Sequence, residues 1–321
     1  MSLSSNSLHL FYSIPIALVI FAVRYCLERC FNPIGKALGI KQGRGKAAQN
    51  NLLETSYAPG QKLGHEEILG LAKQLDWSER EVERWLRLRK NQDKPSTLDK
   101  FCESSWRVCY YFCFFILGVF VLHRQSWLLD INECWNGYPN QNLDDDIWWY
   151  IIIAQSYYVS LLISQFFDIK RKDFWQMFAH HIITITLMTF AWILRLQRIT
   201  SLILLVHEFA DIFLDTAKIL NYARCKKLCD VIFMVFTALW IITRLGVYPL
   251  WIIRSTIWDA PKFLDLTSSL YNYYVFLNGL LLLILSLDIY WTYMLSKVIC
   301  KFWNSGHVQR DSRSSSSENT D

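Results

Sequence analysis

Seven stretches of this chain are apolar over about 19 residues, the length of helix that crosses a hydrocarbon core of about 30 Å. They lie at 8–26, 105–122, 147–167, 174–194, 199–219, 231–253 and 271–296. The fold class they impose is all-α, a polytopic bundle of about seven transmembrane helices. Composition agrees: 321 residues that are 53% hydrophobic, 16% aromatic and 19% charged exclude a disordered, collagen-like or coiled-coil chain. The 14 Trp, 16 Tyr and 20 Phe suit spans with aromatic belts at both interfaces better than one water-facing domain.

Charge placement orients the bundle. No Lys or Arg precedes the first span, and Arg24 and Arg29 follow it, so its C-terminal end is expected in the cytosol, as an uncleaved anchor. Alternation then puts the N-terminus in the lumen and the C-terminus in the cytosol. The loop from His123 to Asp146 fits a lumenal side, with Asp130, Glu133, Asp144, Asp145 and Asp146 against Arg124. The connections expected in the cytosol carry Lys170, Arg171, Lys172, Arg224, Lys226, Lys227, Lys297 and Lys301, and only the turn at Arg195 and Arg198 dissents. No glycosylation sequon is present. The net charge of +5 is too modest to imply nucleic acid. The nine Cys include no CxxC pair, and Cys225 and Cys229 have no His nearby, so free or structural thiols are expected rather than zinc.

Four segments follow: an anchor at 1–40, a soluble insert at 41–104, the main membrane domain at 105–300 and a polar, disordered tail at 301–321 whose serines invite phosphorylation. The insert reads as two helices, one with the stripe Ile68, Leu69, Ala72 and Leu75, the next from Ser78 to Asn91, with Ser78 as N-cap and Glu81 closing a capping box. Trp85 followed by basic residues resembles a homeodomain recognition helix, but Leu88 stands where the adenine-reading Asn belongs, and Leu offers a base edge no donor or acceptor. The first helix and the basic arm are also missing, so specific DNA binding is not expected. Arg84, Arg87, Arg89 and Lys90 instead suit a solvated face or an anionic membrane surface, at about 1 kcal/mol per charge.

Ionisable groups at membrane depth cost about 2.5–3.5 kcal/mol each on insertion scales and survive mainly where they work. Span four contains His180 and His181, with Thr184 one turn on; span five contains His207, Glu208, Asp211, Asp215 and Lys218. At about 100° per residue His207, Asp211, Asp215 and Lys218 share one face and Glu208 stands about a quarter-turn aside. Asp215 can pair with Lys218 near the cytosolic end, and Asp288 with Arg244. A network that merely holds the bundle together is the plain reading. A metal centre is not expected: of seven His, His9, His65, His123 and His307 lie outside the polar core, and adjacent His on a helix diverge by about 100°. A His doublet beside carboxylates in a low-dielectric cavity suits taking a proton or accepting an acyl group, and a cavity between spans would hold a long acyl chain.

These residues carry a resemblance. The run DIKRKDFWQMFAHHIITITLMTFAWILRLQRITSLILLVHEFADIFLDTAKILNYA resembles the Lag1 motif of ceramide synthases, in the TRAM-Lag1-CLN8 membrane-domain family, and RLRKNQDKPSTLDKFCESSWR resembles their truncated homeobox-like segment. The likeness runs from about Trp77 to the last span. It implies an endoplasmic reticulum enzyme that joins a fatty acyl group from acyl-CoA to the amine of a sphingoid base, sphinganine or sphingosine, with no cofactor beyond the acyl-CoA co-substrate. His180 and His181 match the essential doublet, and His207 and Asp211 match the His and second Asp of His-Asp-x-x-Asp. Glu208 replaces the first Asp, Ala210 a common Ser, Arg195 a common Asn and Thr200 a common Gly.

On that reading His180, helped by Asp211, attacks the thioester or acts as base, while His181 and His207 move protons. Thr184, Asp215 and Lys218 are expected to contact substrate, and Lys170, Arg171, Lys172 and Lys227 the phosphates of coenzyme A. By the resemblance, the loop from Arg254 to Leu270 sets acyl length, and members form homo- or hetero-dimers. Two other classes use such a fold: a proton-coupled lipid carrier and a non-enzymatic lipid sensor.

Overall fold

The computed structural model describes residues 7–40, 47–58, 63–93, 95–168, 171–265 and 268–305. Its elements are α1 (Ser13–Ala37), α2 (Asn51–Ser56), α3 (His65–Leu75), α4 (Glu79–Gln92), α5 (Thr97–Leu122), α6 (Asp145–Ser164), α7 (Phe174–Ile193), α8 (Gln197–Tyr222), α9 (Lys226–Trp240), α10 (Ala260–Phe263) and α11 (Ser268–Ser305). No strand occurs among the described residues.

Among the described residues, six helical runs, which include α1, α5, α6, α7, α9 and α11, are long and apolar enough to cross a membrane. The seventh expected span, α8, has the length but not the apolarity, because it carries His207, Glu208, Asp211, Asp215 and Lys218. Its place resolves the conflict: α8 packs most extensively on α5 and α9 and also touches α6 and α7, so its polar groups face protein. Side-chain contacts mark the two ends of the bundle. Arg24 of α1 meets Asp168 after α6 and Glu103 of α5 meets Arg171 before α7 at one end, while Tyr138 meets Leu194 and Trp135 meets Ser255 at the other.

The main core is aromatic. Tyr110 of α5 stacks on Tyr157 of α6 with ring centroids 3.4 Å apart, and Phe114 stacks on Tyr150 at 4.5 Å. Gly118 makes room for this: a Cβ there would come within 2.7 Å of the Tyr150 hydroxyl, so only a glycine lets α6 pack this closely on α5.

Three expected boundaries move. α1 continues past Arg24 to Ala37, since Arg24 finds carboxylates at Glu28 and Asp168 and has no need to end the helix. After α9 the chain continues as π-helix over Ile241–Ile253 and Ser255–Asp259, and Pro261 sits in the first turn of α10, where its missing N–H is not needed. The expected Arg254–Leu270 loop is therefore mostly helical. α11 runs to Ser305, five residues into the expected tail, and the rest of that tail, like Lys170, lies outside the described residues.

The insert is a three-helix unit around Leu53, Leu71, Ala72, Val82 and Trp85, not the expected pair. The added helix, α2, has six residues, too few to print a helical period, and is capped by Asn50 Oδ1, which accepts from the Leu52 and Leu53 amides at 3.1 and 3.2 Å. The Ser78–Glu81 capping box is present, with Ser78 N donating to Glu81 Oε2 at 2.8 Å. A second box, Ser96 with Asp99, starts α5. Trp85 is buried and donates from Nε1 to Ala48 O at 2.6 Å, so it holds the insert together. Arg89 is engaged by Glu54 at 2.8 Å and Asp93 at 2.5 Å, which leaves Arg80, Arg84, Arg87 and Lys90 as the exposed cations of α4. Burial and its hydrogen bond to the Asp93 carboxylate push the Tyr57 hydroxyl up to about 12. Ser78→Ala is expected to cost α4 about 1 kcal/mol, seen as roughly fivefold faster hydrogen exchange of its first-turn amides in the full-length protein.

Candidate active site

α7 supplies the histidine doublet. His180 lies edge-on to Trp291 of α11, with ring centroids 5.4 Å apart at 81°, and His181 faces Tyr158 of α6 at 6.2 Å. The Nδ1 atoms of both histidines are buried without a hydrogen-bond partner. Both rings line a cavity of about 140 Å³ together with Asp211, Asp215 and Lys218 of α8, Arg244, and Arg171 from the segment before α7.

In the wall of the cavity, Arg244 ties three elements together. It projects from the π-helical stretch after α9, a widened turn of the kind found at functional sites. Its Nη2 donates to His207 O at 2.6 Å and to Asp211 Oδ2 at 3.2 Å, and its Nη1 donates to Asp288 Oδ1 of α11 at 3.4 Å. Asp288 is fully buried. Its other oxygen lies 3.7 Å from His207 Nε2. The His207 Nδ1 is 2.9 Å from Ile203 O, a contact that places the neutral ring's proton on Nδ1 and leaves Nε2 free to accept one beside Asp288. The expected Asp215–Lys218 pair forms at 2.7 Å. The expected Asp288–Arg244 pair also forms, but as part of a wider bridge that takes in Asp211.

The expected residues thus divide by place. His180, His181, Asp211, Asp215, Lys218 and Arg171 share the cavity, and His207 stands behind it through Arg244 and Asp288. Glu208 is 1% exposed, neither of its oxygens has a hydrogen-bond partner, and it is not among the cavity-lining residues. Thr184 is buried with an unpartnered hydroxyl and does not line the cavity, and Lys172 is exposed outside it.

Sequence reasoning missed four groups at one end of the cavity. Glu103 Oε1 is 2.6 Å from Arg107 and 3.2 Å from Arg171, and Asp168 receives both Nη1 and Nη2 of Arg24 at 3.0 and 2.6 Å. The i,i+4 spacing of Glu103 and Arg107 at the start of an apolar helix was the available signal. A second cavity, of about 50 Å³, is almost wholly apolar and lies between α7, α8 and α11, with Leu187, Ala191, Ile203 and Leu277 in its wall and Ala260 and Leu264 closing one side.

The comparisons with known proteins agree with this architecture. The TLC domain profile matches residues 100–297. The chain is 40% identical to ceramide synthase 5 of Homo sapiens over 319 residues, 98% of this chain and 80% of that protein. It is 38% identical to ceramide synthase 3 of Mus musculus over 303 residues, 94% of this chain and 78% of that protein. It is 35% identical to ceramide synthase 4 of Homo sapiens over 305 residues, 94% and 76% of the two chains. A helical bundle with an intramembrane His and Asp site and a TLC domain defines a class of multi-pass membrane protein. Within that class, this chain belongs to the ceramide synthase family.

Proposed function

We infer that the protein transfers a fatty acyl group from acyl-CoA to the amino group of a sphingoid base, sphinganine or sphingosine, giving a (dihydro)ceramide. The observation that carries this reading is the His180–His181 doublet, with ring nitrogens unpartnered in a cavity that also holds Asp211 and Lys218. The relatives' shared name supplies the substrate classes.

In this mechanism a His180 ring nitrogen attacks the thioester carbonyl, a nitrogen–carbon bond forms, and the carbon–sulfur bond breaks as coenzyme A leaves as thiolate. The sphingoid amine then attacks the acyl-imidazole, His181 takes the amine's proton, and the amide is released as His180 returns to its free form. Asp211, held by Arg244, faces the cavity as a fixed negative charge that stabilises an imidazolium, and His207 passes protons with Asp288 beside it. Thr184 and Glu208 act from the packing behind the doublet, and Asp215 and Lys218 contact the polar part of the substrate. No cofactor takes part.

The acyl chain extends into the apolar cavity between α7, α8 and α11. Ala260 and Leu264 line that cavity, which gives the segment from Arg254 to Leu270 a direct physical route to chain-length preference. Ala191→Phe, which fills the same cavity, is expected to lower kcat/KM for the longest accepted donor about tenfold relative to shorter ones, on the scale of overpacking a tight site. A ladder of acyl-CoA donors checks it.

The basic end of the bundle faces the cytosol, where acyl-CoA is supplied, with the N-terminus in the lumen of the endoplasmic reticulum. Exposed Lys172 and Lys227 are placed to attract the phosphates of the donor. Assembly as a dimer with a like or unlike family member is part of this reading, and crosslinking in native membranes tests it. The deciding experiment uses membranes from cells lacking their own activity and expressing this chain, given sphinganine and the donor ladder, with product read by mass spectrometry. Dihydroceramide is expected; no product with any donor, from correctly inserted protein, would move the assignment to a carrier or sensor.

A further inference from the structure

One ion-pair system lies outside the chemistry above. At the end of the bundle where α5 begins, Arg107 and Arg171 share a single carboxylate oxygen, Glu103 Oε1, at 2.6 and 3.2 Å. Arg107 also comes within 3.9 Å of Asp168, whose two oxygens are held by Arg24 of α1. Glu103 is 5% exposed, so the pairing is built into the protein and is not a loose surface contact. Both Arg107 and Arg171 use Nη2 on these acids, and a guanidinium has five N–H donors in a fixed fork. Both line the cavity that contains His180 and His181, and from the start of α7 at Phe174 to His180 is six residues, about 9 Å of helix rise. The extended pantetheine arm of coenzyme A is longer than this rise, so a thioester at His180 leaves the phosphates free to reach Arg107 and Arg171.

We propose that Arg107 is a specificity-determining residue for the donor: with Arg171 it grips the phosphates of coenzyme A, while Glu103 and Asp168 hold the two guanidiniums in place across the cavity mouth until those phosphates arrive. The pyrophosphate of coenzyme A offers the two arginines bidentate acceptors and two negative charges, which one shared carboxylate oxygen cannot. The collar thereby favours a coenzyme A thioester over the same acyl group on a carrier without phosphates. Arg24 acts on the same contact from a distance, since its hold on Asp168 fixes the anion against which Arg107 rests. This inference depends on reading the chain as an acyl-CoA-dependent transferase, but not on which histidine carries the acyl group.

The test compares full-length wild type with Arg107→Gln and Arg171→Gln, in membranes, using one fatty acyl group presented on coenzyme A or on pantetheine. The readout is the ratio of kcat/KM for the two donors. In each variant this ratio is expected to fall about tenfold or more, the scale of a lost charge-assisted hydrogen bond, through KM for acyl-CoA. Arg107→Lys, which keeps the charge and loses the fork, is expected to lie between. A ratio that stays at the wild-type value in active variants overturns the proposal and leaves the collar as a tie between α1, α5 and α7. If Arg107→Gln is inactive with both donors because Glu103 is left buried and unpaired, the double variant Arg107→Gln/Glu103→Gln removes that charge and is judged by the same ratio. Wild-type protein that uses neither donor would defeat the transferase reading itself, an outcome distinct from an unchanged ratio.

Discussion

His180→Ala and His181→Ala are each expected to lower dihydroceramide formation about 10³-fold, with the protein still inserted and folded. The Nδ1 atom of each ring is buried and unpartnered, so its removal costs the bundle no hydrogen bond at that atom. Their contacts, His180 edge-on to Trp291 and His181 tilted against Tyr158, are ring contacts that a smaller side chain weakens without leaving a charge stranded. The two variants separate in kind. Hydroxylamine quenching of a single turnover should recover no enzyme-bound acyl group from His180→Ala. From His181→Ala it should recover one that persists, since that variant lacks only the base for the second step. The double variant should be no worse than the worse single, because residues that act as a unit are not additive. Full activity in both single variants would remove the doublet from the mechanism.

Much of this site is legible in the sequence, because intramembrane charge is costly enough to stand out against an apolar chain. The i,i+3 and i,i+4 relations on α8 placed Asp215 beside Lys218 and put Asp211 on the face that meets the doublet. Periodicity gives a face within one helix but not the neighbour that face will meet. Glu208, a quarter-turn from that stripe, accordingly turns away from the cavity, and His207 ends behind it against Asp288. The Arg244–Asp288 partnership was readable as two opposite charges in neighbouring spans. That Arg244 also reaches Asp211 was not, since the reach comes from a π-helical turn with no sequence marker of its own. The same limit hid α2, too short for a period, and the Glu103 collar, whose partners lie 68 positions apart along the chain.

Arg244→Met carries the largest expected effect on the folded state. Arg244 is 4% exposed and pairs with both Asp211 and Asp288, which project from different helices. Removing one partner of a buried ion pair costs about 3–5 kcal/mol, because the remaining carboxylates stay desolvated without a counter-charge. The apparent melting temperature in detergent is expected to drop by roughly 5–10 °C. Arg244→Lys should recover part of this but not the activity, since one ammonium cannot span His207 O, Asp211 and Asp288 as the guanidinium does. The informative variant is Arg244→Met/Asp288→Asn. It removes a buried cation together with one of its two anions, so stability should return toward wild type. Asp211 would still lack the donor that aims it at the cavity, and His207 would face an amide in place of a carboxylate. Restored melting with activity still at least tenfold below wild type would mean that Arg244 positions the catalytic groups. Restored melting with full activity would mean that the bridge only holds α8, α11 and the π-helical stretch after α9 together, and that the doublet works without it.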